Sequence, residues 1–264
     1  MTGLLAILSP AKTLDMDAVP GGLETSRPRN QARTRDLAGI LEGYAPAKLS
    51  KLMSISDKLA TLNAQRWSDF GDRSNPRGPA AMCFRGDVYQ GMEAWTLDAR
   101  SLKWAQDHVR ILSGLFGLLR PLDVIQPYRL EMGTRLPTSS GSNLYEFWGD
   151  AITRTLRKDL ADIKADVLVN LASDEYSKSI DFEGLGVRVL ETTFLQRSGG
   201  QEKFISFHAK KARGLVARWM SEHRPKSADD LREFDAEGYR CDLKASDESR
   251  LVFTRPKPAA KSAG

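Results

Sequence analysis

Unbroken apolar runs alternate with longer amphipathic stretches along this chain. Leu4-Leu5-Ala6-Ile7-Leu8 is the first such run, and its continuity predicts a strand buried on both faces. Ala165 to Leu171 repeats the pattern. Val187 to Leu195 predicts a third strand and Leu251-Val252-Phe253 a last one. Ala80 to Phe84 also reads as a strand, and Gly199-Gly200 as a hairpin turn into Lys203 to Phe207. The helical period predicts helices over Arg33 to Leu41, Leu97 to His108, Leu144 to Leu160 and His208 to His223, with a polar helix over residues 229 to 240.

Ile111 to Leu136 fits neither pattern. It is mostly apolar, yet it carries Arg120, Arg129 and Arg135, with Gly114 and Gly117 inside the apolar part. Pro121 and Pro127 bar a simple helix. The stretch is expected to be buried but irregular, delivering Arg120, Arg129 and Glu131 to fixed places. Two readings stand side by side: a phosphate-binding segment, or a buried loop whose arginines cap carbonyls and pair with carboxylates.

The polar residues that end the buried runs are the next candidates. Ser9, Lys12 and Thr13 follow the first strand, and Ser173, Asp174, Glu175, Tyr176 and Lys178 follow the strand at 165–171. In open α/β sheets ligands collect at the carboxyl ends of strands. No glycine-rich loop is present, so this is not a Walker motif. Lys210, Lys211 and Arg213 sit near the start of the helix at 208, where cations are unfavourable unless an anion is close.

Pro46 suits the first turn of a short helix, and Ser56 or Asp57 then caps a second one carrying Leu59, Leu62, Arg66 and Trp67. This pair resembles a helix-hairpin-helix DNA-binding unit, with Ser54 and Ser56 where glycine is usual. Backbone N–H groups at the turn would position a phosphate, and Lys48, Lys51 and Lys58 would neutralise its neighbours. The plainer reading is an αα corner with a solvated lysine face.

Composition narrows the classes. The chain has 264 residues and a net charge of +5, which favours polyanionic partners only mildly. Cys83 and Cys241 lie far apart, and Leu4 to Leu8 is too short for a membrane span and lacks a basic leader. A reduced cytoplasmic protein without a membrane partner is expected. No zinc spacing, nucleophile elbow or paired histidines occur, so neither a cofactor nor a metal is expected, and the three scattered histidines and two cysteines argue against a dedicated iron site.

Seven motifs then carry a likeness: SPAKT at 9–13, ISDKLA at 55–60, FRGDVYQG at 84–91, the run at 110–136, LYEFWGD at 144–150, NLASDEY at 170–176 and AKKARG at 209–214. Together, in this order, they resemble the YaaA peroxide-stress protein family. Asp174 and the proline-lysine tail depart from its pattern. The resemblance implies an α/β (mixed α+β) single domain over residues 1–255, a mixed sheet surrounded by helices with a basic cleft. It maps the family's helix-hairpin-helix unit onto residues 46–67. It further implies a cytoplasmic protein of the hydrogen peroxide response that binds double-stranded or branched DNA without strong sequence preference. Residues 256–264 are expected to form a disordered tail.

No established reaction comes with the likeness. An alternative is an enzyme acting on a nucleotide or phosphate-bearing small molecule, using Lys12, Arg120, Arg129, Glu131, Lys210 and Arg213; Ser9 and Lys211 are expected in the same basic, anion-binding cleft. DNA binding predicts exposed, spread cations. An enzyme predicts cations converging with Glu131 in one pocket. Lys12, Arg129 and Lys210 are expected to lie close together although they are far apart in sequence.

Overall fold

Strand β1 (Gly3–Leu8) lies at the centre of the main sheet because every residue from Leu4 to Leu8 is buried, and only a strand covered on both faces satisfies that pattern. The computed structural model describes residues 3–17 and 22–257. The other strands of this sheet are β2 (Val109–Ser113), β3 (Gly117–Leu119), β4 (Ala165–Leu171), β5 (Arg188–Ser198), β6 (Gln201–Lys203), β7 (Arg240–Cys241) and β8 (Arg250–Pro256). They run in the order β7-β8-β5-β4-β1-β2-β3, with β6 paired to β5. Strands β8, β5, β4, β1 and β2 are mutually parallel, while β3, β6 and β7 are antiparallel additions. The fold is a mixed α/β domain with helices around this sheet.

The chain leaves β1 for β2 on one side and later returns through β4 to build the other side. The strand order therefore reverses at β1 and β4, and a crevice opens at their carboxyl ends.

The irregular stretch at 111–136 forms β2, the turn to β3 and a long buried loop. Gly117 holds a left-handed φ of 71° at the start of β3, against the Trp148 ring. Tyr128, Leu130, Met132 and Leu136 are buried along the loop. Away from this loop, Asp159 of helix Ala151–Asp162 binds Arg29 and Arg110, the latter at 2.5 Å. Burial alone would raise the Asp159 carboxyl, but bonding to Arg29 and Arg110 outweighs it and leaves the group below its ordinary value.

Several expected elements differ. Ala80–Cys83 is a turn of helix between two short bridges, because Ala80 and Ala81 donate their N–H groups to Asp123 and Pro121 of the buried loop instead of to a strand. The helix expected over Leu144 to Leu160 is two, Leu144–Trp148 and Ala151–Asp162, broken where Gly149 takes a φ of 48°. The hairpin at Gly199-Gly200 forms, but its second strand stops at Lys203 and a helix starts at Ser206. Residues 229–240 contain two 3-10 turns, Asp230–Glu233 and Ala236–Gly238, in place of a helix. The last strand reaches Pro256 because its residues pair in parallel with β5 as far as Arg197. The remainder of the tail lies outside the described residues. Among the described residues no helix is long and apolar enough to cross a membrane.

Candidate functional site

The loop after β1 and the loop after β4 are tied together by Ser9. Its hydroxyl oxygen accepts the Ser173 N–H at 2.9 Å and lies 3.2 Å from the Ser173 hydroxyl, and its carbonyl accepts the Tyr89 hydroxyl at 3.1 Å. Tyr89 belongs to α-helix Asp87–Met92, whose ring is buried. A cavity of about 270 Å³ opens over this junction, lined by Ser9, Lys12, Arg85, Tyr176, Lys210 and Arg213 among others.

Lys210 and Arg213 reach it from the long helix Ser206–His223, which crosses helix Asp87–Met92 backbone to backbone. A Cβ on Gly214 would stand 1.7 Å from the Val88 carbonyl oxygen, and one on Gly91 would stand 2.1 Å from that of Lys211. Only paired glycines allow this approach, so the crossing sets where the two cations stand. Burial pulls the Arg213 guanidinium below its ordinary value, opposed by Asp174 and Glu191, and its buried Nε has no hydrogen-bond partner. A buried donor without an acceptor is costly.

Lys12 and Arg129 meet on one carboxylate. Lys12 Nζ lies 3.1 Å from one oxygen of Glu131, and Arg129 donates to the other at 2.9 Å. Arg129 and Glu131 are mostly buried, whereas Lys12 is 61% exposed. The Nε of Arg129 is also buried and unpartnered. Arg66, on helix Asp57–Ser68, is pulled below its ordinary value by burial and by Arg129 nearby.

Lys12 thus stands in the same cleft as Lys210 and Arg213 and on the same carboxylate as Arg129. Two expected members lie elsewhere. Arg120 binds Asp123 and the Arg27 carbonyl and faces a separate cavity with Arg29 and Asp159. It follows the plainer reading of a buried loop arginine. Lys211 is paired with Glu237, which also holds Arg255.

The two-helix unit forms as Pro46–Met53 and Asp57–Ser68. Ser54 turns the chain in the left-handed region at φ 51°, and its N–H and that of Ile55 both go to the Ser50 carbonyl. Ser56 caps the second helix by accepting the Leu59 N–H at 3.4 Å. The turn's own donors are therefore largely used internally, and Asp57 adds a negative charge at the helix start. What faces outward is side-chain charge. Lys48, stacked 3.4 Å over the Tyr44 ring, and Lys51 line an open groove of about 760 Å³ with Gly133, Thr134 and Arg135. Lys58 is exposed outside that groove.

One hydrogen bond links a residue of the groove to a residue of the cleft. The Gly133 N–H donates to Glu175 Oε1 at 3.0 Å, and Glu175 lines the cleft. The Tyr145 hydroxyl donates to the Glu175 carbonyl at 2.8 Å. Sequence reasoning placed Glu175 among the polar residues at a strand end and Arg66 on the second short helix, but gave Arg66, Arg135 and Tyr89 no role at the site. An alternating charge pattern could not have found them, because each is placed by a tertiary contact.

Among the described residues no group of three histidines, cysteines and carboxylates could hold a metal ion. Cys83 and Cys241 are free, and burial pushes the Cys83 thiol up to about 12.

The model of the family described as peroxide stress protein YaaA matches residues 4–245. A UPF0246 protein of Paracidovorax citrulli is 50% identical over 256 residues, covering 96% of this chain and 98% of that protein. UPF0246 proteins of Idiomarina loihiensis and Phenylobacterium zucineum are each 46% identical, with 98% of each relative covered. With a family match over nearly its whole length and relatives of this similarity, the chain belongs to the family of the peroxide stress protein YaaA.

Proposed function

We propose that this protein acts in the cytoplasmic response to peroxide by binding double-stranded or branched DNA through its phosphates. The observation that supports this most is the pair of basic surfaces, the groove of Lys48, Lys51 and Arg135 and the cleft of Lys12, Lys210 and Arg213, linked by the Gly133–Glu175 hydrogen bond. Exposed cations along a path suit a charged backbone, and no helix or strand stands out as a reader of base edges. Binding should therefore be sensitive to salt and indifferent to sequence. Fluorescence anisotropy with two unrelated labelled duplexes over a salt series tests it. Equal affinities that fall together as salt rises are expected. Strong discrimination between the duplexes, or affinity unchanged by salt, contradicts it.

A second reading is favoured by one feature. Lys12, Glu131 and Arg129 converge, and Arg213, whose buried Nε has no partner, lines the cavity that Lys12 also lines. Such convergence suits a phosphate-bearing small molecule held for chemistry better than a passing backbone. Incubation with nucleoside mono-, di- and triphosphates, followed by product analysis, separates the two: turnover that is lost in Glu131→Gln supports the enzyme, and its absence leaves the cleft as a binding site.

A further inference from the structure

The start of helix Ser206–His223 carries an apolar patch that packing does not explain. Phe204, Ile205 and Phe207 are 59%, 37% and 50% exposed, the largest such cluster among the few exposed large apolar side chains described. Side chains of this size in one short segment mark a contact surface. The surrounding charge says of what kind. Lys203 precedes Phe204, and Lys210 stands one turn beyond Phe207 on the same side of the helix. Among the described residues neither lysine has a carboxylate partner, whereas Lys211 beside them is neutralised by Glu237. The helix has no side-chain cap and no acidic residue in its first turn, so its positive end is uncompensated. Lys210 also lines the cleft at the strand ends.

Aromatic faces interleaved with free cations match a strand whose bases are unstacked and whose phosphates are regularly spaced. A groove for an apolar peptide would not need the cations. A duplex would bury its bases and leave the rings idle. We propose that Phe204 and Phe207 form a stacking platform for unpaired bases of a single-stranded nucleic acid, whose phosphates run along Lys203 and Lys210 toward the cleft. This rests on the nucleic-acid reading above and names the form of nucleic acid that this end of the molecule takes. The rings supply sequence-tolerant affinity, because every base has a face to offer.

The test compares three labelled probes by anisotropy: an oligothymidine, an abasic strand of the same length and a duplex. Wild type should bind oligothymidine more tightly than the abasic strand. Phe204→Ala/Phe207→Ala should lose roughly tenfold per ring for oligothymidine and little for the other two. Phe207→Trp should retain affinity, and its fluorescence should be quenched by oligothymidine but not by the abasic strand. Both positions are exposed, and unchanged melting temperatures would show that the variants fold. Equal binding of the two single strands, unaffected by the alanines, overturns the platform while duplex binding keeps the broader reading intact. Binding of no probe overturns both. Loss of anionic-vesicle binding in the double alanine variant, with oligothymidine affinity unchanged, assigns the patch to a lipid surface and overturns the platform alone.

Discussion

Arg129 donates to Glu131 at 2.9 Å while its own buried Nε finds no acceptor. The carboxylate therefore neutralises part of a cation pair, Lys12 and Arg129, and leaves one donor unsatisfied. Glu131 supplies the one negative charge that the two cations share.

Replacing it should show this. Glu131→Gln leaves Lys12 and Arg129 without their shared counter-charge. Sulfate or pyrophosphate should then bind several-fold more tightly by calorimetry, with about 1–3 kcal/mol lost from stability, the mostly buried Arg129 contributing more than the exposed Lys12. Unchanged anion affinity would mean that Glu131 does not compete with a ligand.

The backbone crossing sets up a second expectation. Gly214→Ala forces a Cβ into the Val88 carbonyl, so the long helix must move. The variant should lose at least about 1–3 kcal/mol in urea unfolding, and the fraction that folds should bind DNA more weakly because Lys210 and Arg213 shift with the helix. Gly39→Ala, where no atom lies within 4 Å of the added Cβ, should cost nothing and serves as the control.

Asp159 gives the pH dependence. Its folded carboxyl lies below the unfolded value of 3.8 because Arg29 and Arg110 favour the charged form over the cost of burial. The unfolded chain therefore takes up the proton first, so this contribution is complete above 3.8 and is lost as pH falls below it. Asp159→Asn should destabilise by about 3–5 kcal/mol at neutral pH, because it strands two arginine charges. Thermal melts from pH 6 down to 2.5 (roughly the range that brackets an unperturbed carboxylate) should show a shallower decline for the variant than for wild type.

How much of this was legible beforehand follows from which signals are local. Leu4 to Leu8 and Ala165 to Leu171 announce buried parallel strands, because continuous burial requires continuous apolar sequence. Once those strands are placed, the polar loops after them must meet, and Ser9 and Ser173 do. Pro46 and Ser56 mark the ends of two helices through local backbone chemistry. Ala80 to Phe84 was not legible: five apolar residues have no resolvable period, and the loop's carbonyls at Pro121 and Asp123 decided the outcome. Arg120 could not be told from Arg129, since both follow a buried apolar run. What separates them is Asp123 within reach of one and Glu131 within reach of the other. The Arg29–Asp159–Arg110 cluster draws on three distant segments and left no trace in any one of them.

The groove and the cleft make distinct contributions if one nucleic acid follows the whole path. Their separate charge reversals, Lys48→Glu/Lys51→Glu and Lys12→Glu/Lys210→Glu, provide the most direct measurement of that claim. The slope of log affinity against log salt for one labelled duplex should be shallower in each variant by about 0.9 for every phosphate contact removed, and shallower still in the combined variant. Slopes and affinities equal to wild type in both variants, with melting temperatures unchanged, would contradict the path and with it the proposed function.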